Sequence, residues 1–297
     1  MSKSHTINLF ESRRAQLTGL AYRILGSLAE AEDAVQDTFV KWSEADRHTI
    51  NNPAAWLTST CTRRCIDLLR AARHARVDYV GAWLPEPIQF RSDDTAQNAS
   101  DLSSSLSMAF LLLLERLAPK ERAAYLLHDI FEQPYAQVAA ALGIQEAACR
   151  KLVSRARLNV GRRDARNMVT LERQETLLDA FQTAITTGAT AHLAALMAED
   201  IQLKADGGGK AVTLLEPLSG KSSVLEFIAG PLRGFWKTYE WRASELNGMR
   251  GVLLFEDGRI TASVSFGFDV HGYLSGIFIM RNPDKLARLV EPETLLQ

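Results

Sequence analysis

Three cysteines in 297 residues, Cys61, Cys65 and Cys149, are too few and too odd in number for a disulfide framework. The N-terminus lacks the charged-then-apolar pattern of a secretory leader. Both absences point to a reducing cytoplasm. Cys61 and Cys65 share a helix face with His74 close in sequence, but a metal site needs more ligands than these. Packing is the reading, and no metal or cofactor is expected. Long apolar runs are also missing: Ala109–Leu114 is far too short to cross a bilayer, which excludes a membrane role by helix. There is no excess of charge of either sign, with 34 Lys and Arg against 35 Asp and Glu. A uniform polycation is excluded, yet the basic residues cluster. Arg63, Arg64, Arg70, Arg73 and Arg76 form one group and Arg150 through Arg166 another. A local basic face matters more for nucleic acid than the total does. The length allows two or three domains with a sizeable core.

What is present centres on Tyr135 to Arg157. Gln137 to Ala141 favour a helix, and Gly143 suits the positive-φ position of a turn. Gln145 starts a second helix, in which Cys149, Val153, Ala156 and Val160 make one apolar stripe. Arg150, Lys151, Ser154, Arg155 and Arg157 fall off that stripe. Two helices around a Gly turn, the second with a basic polar face, spell a helix-turn-helix. One reading is a helix in the DNA major groove, where arginine pairs with guanine and basic groups neutralise phosphate. The other is a helical hairpin with a solvated basic face.

The first third reads as helical. Leu17, Leu20, Ala21, Ile24 and Leu25 follow a helical period, closed by Gly26-Ser27. Ser27 and Glu30 make a capping box for a second helix through Ala31, Ala34, Val35, Thr38, Phe39 and Trp42. The opposite face of that helix is acidic, with Glu32, Asp33 and Asp37. Pro53 opens a third helix, and arginines crowd its second half. From Asp78 the pattern changes: Trp83-Leu84-Pro85-Glu86-Pro87 cannot be regular helix. Residues 91–107 are rich in Ser, Asp and Asn and read as an exposed, mobile linker. Trp83 and Leu84 are expected to dock on a neighbouring domain. Helices resume at Met108, with Leu111 to Leu114 expected as the core for the helix-turn-helix.

The order of these parts resembles a known family. Residues 31–39 (AEDAVQDTF), Pro53 to Arg70, Leu117 to Arg122 and the helix-turn-helix ending Ser154-Arg155-Ala156-Arg157 look like an extracytoplasmic-function sigma factor of bacterial RNA polymerase. The sequence DYVGAWLPEP and the extra C-terminal domain are similar to the subgroup with a SnoaL-like extension. The resemblance implies four parts. Residues 1–77 would be a region 2-like helical module and 78–107 a linker. Residues 108–166 would be a region 4-like helix-turn-helix module and 167–297 a SnoaL-like regulatory domain. It implies that Asp33, Gln36, Asp37 and Phe39 meet core RNA polymerase. Arg63, Arg64, Asp67 and Arg70 would open the −10 element. Arg150, Lys151, Ser154, Arg155 and Arg157 would contact the −35 element. Asp67 has a second reading, as a bridge to a neighbouring arginine.

From Leu171 the composition shifts. Two amphipathic helices, Glu172–Ile185 and Ala191–Met197, precede strand-like runs at Ile201–Leu203, Ala211–Leu215, Trp236–Leu246, Gly251–Phe255, Ile260–Phe268 and Tyr273–Met280. Glu256 to Arg259 and Asp269 to Gly272 are turns. Helices followed by a curved antiparallel sheet predict an α+β cone of the SnoaL or NTF2-like type. Two motifs remain: Asp206-Gly207-Gly208-Gly209-Lys210 and Asn282-Pro283-Asp284-Lys285-Leu286. Asp206, Lys210, His271 and Asp284 include acid–base groups, but they sit in turns and at a helix start, so catalysis is not expected. With Trp83, Leu84 and Pro85, the two motifs are expected to form one regulatory interface. The whole reads as a cytoplasmic, monomeric, non-enzymatic sigma factor with core polymerase and promoter DNA as partners. Three rivals stand: a polymerase-independent regulator, a bifunctional protein with a ligand-binding or isomerase-like C-terminal domain, and a scaffold that dimerises through it.

Overall fold

A computed structural model describes residues 3–75, 78–89, 105–161 and 169–292. Arg76, the linker residues 91–104 and the arginines between 162 and 166 lie outside the described residues. The helical part comprises α1 (Lys3–Leu25), α2 (Leu28–Glu44), α3 (Pro53–Ala75), α4 (Met108–Leu114), α5 (Pro119–Tyr125), α6 (Tyr135–Leu142) and α7 (Glu146–Val160). Contacts divide the chain into two units that do not follow chain order. One holds Met1–Asp78 and Leu113–Arg162, the other Tyr79–Leu112 and Arg163–Gln297.

In the first unit, α1, α2 and α3 pack through Leu20 and Ile24, Ala31 and Val35, and Leu57, Cys61 and Leu69, all buried. The i, i+4 spacing sets one apolar face per helix. Local signals delimit the helices. Gly26 takes φ +75° after α1. Ser27 Oγ accepts the Glu30 amide at the start of α2. Asn52 Oδ1 accepts the Ala55 amide at the start of α3. Cys61 and Cys65 are buried on the inner face of α3. The helix-turn-helix closes as its pattern predicts: Gly143 takes φ 63° and ψ 44°, and the Ile144 amide reaches back to Ala139. The buried residues of α7 are Cys149, Val153, Ala156 and Val160. Two arginines tie the modules of this unit together. Arg122, 1% exposed, donates from Nη1 to the Ile24 carbonyl at 2.8 Å and to Glu115 at 2.7 Å. Arg63 donates to the carbonyls of Ala141 and Ala140, at 2.9 and 3.0 Å. These carbonyls end α6, where no further helical turn follows, and that of Ala140 also accepts the Gly143 amide at 3.3 Å. Removing both bonds with Arg63→Ala should destabilise this unit by about 0.5–1.5 kcal/mol. Arg63→Lys should recover part of that in urea unfolding.

The second unit is built on one sheet. After α8 (Leu171–Thr187) and α9 (Ala191–Leu196) come β1 (Met197–Asp206), β2 (Leu218–Ser219), α10 (Lys221–Phe227) and α11 (Arg233–Trp236). Then follow β3 (Glu240–Leu246), β4 (Met249–Glu256), β5 (Arg259–Phe268), β6 (Leu274–Met280) and α12 (Pro283–Leu286). The strand order is β2-β1-β6-β5-β4-β3. The sheet is mixed rather than wholly antiparallel, because β1 runs parallel to β6, with Leu203 opposite Ile277. Ala211–Leu215 is not a strand, and Trp236 belongs to a helix rather than to β3. Asn247-Gly248 and Asp257-Gly258 both take positive φ, the turn geometry that tight hairpins require.

Both faces of the sheet are covered. Leu203, Leu254, Val264, Ile277 and Ile279 face an inner core with Phe181, Ile228 and Trp236 from the helices. Leu253, Phe255, Phe278 and Met280 face the other way, onto Leu84, Met108, Leu286 and Leu289, with Ala109 and Leu112 alongside. Of the residues expected as an exposed linker, Ser105, Leu106 and Ser107 are buried, as are Leu84 to Pro87 of the strap, and Leu112 serves the sheet rather than the helix-turn-helix. Pro85 and Pro87 explain how a buried strap lies there without joining the sheet. Each holds its preceding residue extended and removes an N–H that would need a partner.

Candidate nucleic-acid interface and linker clamp

The outer face of α7 carries Arg150, Lys151, Ser154 and Arg155, all exposed. Arg150 pairs with Glu146 at 2.6 Å, one turn earlier, and lies over the Tyr135 ring at 4.3 Å. Arg155 is 3.6 Å from Glu121. Both pairs are exposed on the arginine side and are worth little in water. Arg157 differs. It donates twice to Asp129, at 2.9 and 2.6 Å, and that carboxylate is 11% exposed. The pairing raises the Arg157 pKa further above the usual arginine range.

On α2, Asp33 and Gln36 are exposed. Asp37 is ion-paired with Arg64 at 2.6 Å, and Phe39 packs on the Phe10 ring at 4.9 Å. On α3, Asp67 meets Arg70 at 3.4 Å on the surface, the bridging alternative in a weak form. Of the four residues expected to open DNA, Arg63 and Arg64 are engaged within the first unit, by α6 carbonyls and by Asp37.

In the second unit the three motifs converge on Asp206, which is 0% exposed. Its Oδ1 accepts the Tyr79 hydroxyl at 2.6 Å and the Gly208 amide at 3.0 Å. Its Oδ2 accepts the Leu84 amide at 2.9 Å and Lys285 Nζ at 2.7 Å. Four donors satisfy a charge that would otherwise be very costly to bury. Lys285 Nζ also donates to the Leu84 carbonyl at 2.6 Å and sits 4.3 Å from the Trp83 ring centre. Asn282 caps α12 by accepting the Asp284 amide and donates to Tyr79 Oη at 3.0 Å. Lys210 and Asp284 form a surface ion pair at 2.5 Å. Pro283 is exposed and Leu286 buried.

The glycines have separate reasons. A Cβ on Gly207 would run into the Ala211 carbonyl, and one on Gly208 into the Asn282 amide. Gly208 and Gly209 take φ +60° and +71°. The far end of the strap is clamped too. Ile88 exchanges bonds with Asn247, at 2.8 and 3.3 Å. Gln89 bonds Ser244 and both polar groups of the Val290 backbone, at 2.8, 3.0 and 2.8 Å. Tyr79 stands within DYVGAWLPEP, but nothing local gives it its partner, and Gln89 and Asn247 lie outside the motifs. For Asn247 the Asn247-Gly248 pair is a strong hairpin signal.

Burial, together with donation to Asp206, holds the Tyr79 phenol well above the usual tyrosine range. The folded phenol keeps its proton where the unfolded one has lost it. The stability it gives is complete below the unfolded value of about 10 and is lost as pH rises beyond it. The stability difference between the natural chain and Tyr79→Phe should therefore shrink above pH ~10 in urea unfolding. A difference that stays constant there would contradict the bond.

Comparison with known proteins agrees with this architecture. Residues 9–75 match the family model described as Sigma-70 region 2, and residues 107–160 match Sigma-70, region 4. The chain is 36% identical over 228 residues to the ECF RNA polymerase sigma factor SigJ of Mycobacterium tuberculosis (strain ATCC 25618 / H37Rv), covering 75% of this chain and 72% of that protein. It is 35% identical over 153 residues to the probable ECF RNA polymerase sigma factor SigI of the same strain, covering 51% and 52%. The crystal structure of Mycobacterium tuberculosis SigJ superposes with a TM-score of 0.73 at 31% identity, covering 95% of this chain and 98% of that one. Among the described residues no helix is long and apolar enough to cross a membrane. Two sigma-70 modules in order, and a relative matched along most of its length, show that the chain belongs to the extracytoplasmic-function RNA polymerase sigma factors, which direct core polymerase to promoters.

Proposed function

We propose that the SnoaL-like unit regulates the sigma factor by holding the strap between its two promoter-reading modules. The observation that carries this is Asp206, a buried carboxylate of β1 that accepts bonds from Tyr79 and Leu84 of the strap and from Lys285 after β6. While the clamp is made, residues 79–89 are fixed to the sheet, which limits where the flanking modules can reach. In this reading α7 contacts the −35 element through Arg150, Lys151, Ser154 and Arg155, and Arg157 supports the helix through Asp129. Asp33, Gln36, Asp37 and Phe39 meet core polymerase in the cytoplasm. Arg63, Arg64, Asp67 and Arg70 serve the −10 element. Arg63 spends its Nε and one Nη2 hydrogen on the α6 carbonyls, which leaves Nη1 to reach a phosphate.

We assign the SnoaL-like unit no reaction of its own. Asp206 is committed to four donors and Lys210 to Asp284. His271 lies in the β5–β6 turn, at the other end of β6 from Asn282, a separation of roughly 20 Å along a strand of this length. Run-off transcription with core polymerase tests the regulatory reading. Chains ending before Asn282 lose Lys285, Leu286 and Leu289, and their output should change strongly. Unchanged output would remove it.

A further inference from the structure

The inner core of the second unit borders a pocket that opens to the surface at Val212 and Phe235. Between β1, β6 and the helices α10–α11 a cavity of about 150 Å³ remains, walled by Ala205, Ile279, Phe227, Trp236 and the loop Val212–Leu214. A cavity of this size with apolar walls takes one benzene-sized body. Its lining includes Phe235, which is 57% exposed, and Val212, which is 75% exposed. Arg281, the residue after β6, also lines it. Arg281 Nη1 donates to the Val212 carbonyl at 2.7 Å. Its Nε is buried and has no hydrogen-bond partner. That atom is closed off from the cavity as it is from solvent, so a ligand would meet the outer guanidinium N–H groups.

Aromatic walls and a permanent cation in the lining of one pocket specify complementary halves of one molecule. We propose that this cavity binds a small aromatic carboxylate, with the ring in the void and the carboxylate accepting from Arg281. A phosphate fits poorly, because the remaining lining would strip its oxygens of water without replacing the bonds. A neutral ring makes no use of the Arg281 charge. The site also touches the strap. The Val212–Leu214 wall follows the Asp206–Lys210 loop directly, and the Leu214 carbonyl lies 3.7 Å from where a Cβ on Gly81 would stand. Occupancy is therefore felt at the clamp, a coupling that rests on the regulatory reading above.

The full-length protein is titrated with benzoate and, in parallel, with benzyl alcohol, a similar ring without charge. Melting temperature and tryptophan fluorescence are followed, the latter because Trp236 forms part of the wall. Benzoate should raise the melting temperature and saturate with a Kd on the order of 1 mM, as its size and one charge-assisted bond allow. Arg281→Met should weaken benzoate about tenfold while leaving benzyl alcohol unchanged. Phe235→Ala, at an exposed position that tolerates change, should weaken both. Absence of any benzoate effect up to about 20 mM overturns the site. Equal binding of the two probes, or benzoate binding indifferent to both substitutions, overturns it as well. Benzoate binding that leaves run-off transcription unchanged overturns the coupling alone. Clamp variants that alter transcription in a protein blind to benzoate overturn the site and leave the regulatory reading standing.

Discussion

Asp206→Ala is expected to lower the unfolding free energy of the SnoaL-like unit by about 3–5 kcal/mol, the loss typical of breaking a buried ion pair from one side. The substitution strands the Lys285 ammonium, which is 13% exposed, and deprives the Tyr79 hydroxyl and the Leu84 and Gly208 amides of their acceptor. Entry of water offsets part of this, since four polar groups line the vacated space. Asp206→Asn keeps the shape but brings an amide donor toward other donors, so it should be destabilised by a smaller margin. The strap is held at two ends, and its Asn247 end survives both substitutions. Limited proteolysis should therefore open first near Tyr79, ahead of global unfolding. A urea midpoint unchanged by Asp206→Ala would mean that the clamp contributes nothing and would remove the basis of the regulatory proposal.

Arg155→Ala and Arg150→Ala are expected to weaken binding of the polymerase holoenzyme to promoters that carry a −35 element. Each loss should be about 1–3 kcal/mol, or roughly ten- to a hundredfold. Arg150 gives up only the exposed Glu146, so its loss should change stability little; Arg155 gives up a long 3.6 Å pair with the largely buried Glu121, so a small loss of stability is expected there. Arg157→Ala should show the opposite balance. Its guanidinium is gripped twice by a largely buried Asp129, so thermal stability falls and −35 selectivity holds. Measured on matched promoters with and without the element, equal losses for Arg155→Ala would count against a role in base reading. They would point to phosphate contact alone.

What the sequence made legible was local. The stripe Cys149, Val153, Ala156 and Val160 forms the buried face of α7, because a helix repeats at 3.6 residues whatever it packs against. Gly143 and Ser27 ended and began helices for reasons contained within four residues of chain. What stayed hidden depended on distant chain. The parallel pairing of β1 with β6 joins segments more than seventy residues apart, and nothing near Leu203 announces Ile277. The second cover of the sheet did leave a trace. Val252-Leu253-Leu254-Phe255 and Ile277-Phe278-Ile279-Met280 are continuous apolar runs rather than alternations, which is how strands buried on both faces read. The covering strap reads as a linker whose Trp83 and Leu84 dock, because Pro85 and Pro87 exclude helix, and the same prolines suit an unpaired extended segment. The motifs around Asp206 and Asn282 were visible as motifs. Which atoms touch, and that Tyr79 joins them, came only from the folded chain.

The most direct test is multi-template run-off transcription with purified core polymerase and the full-length protein. The expected result is RNA from a discrete start site on a promoter that core polymerase alone ignores, lost when Arg150 and Arg155 are both alanine. The contradicting result is a well-folded protein that, at saturating concentration, yields no transcript beyond those of core polymerase by itself.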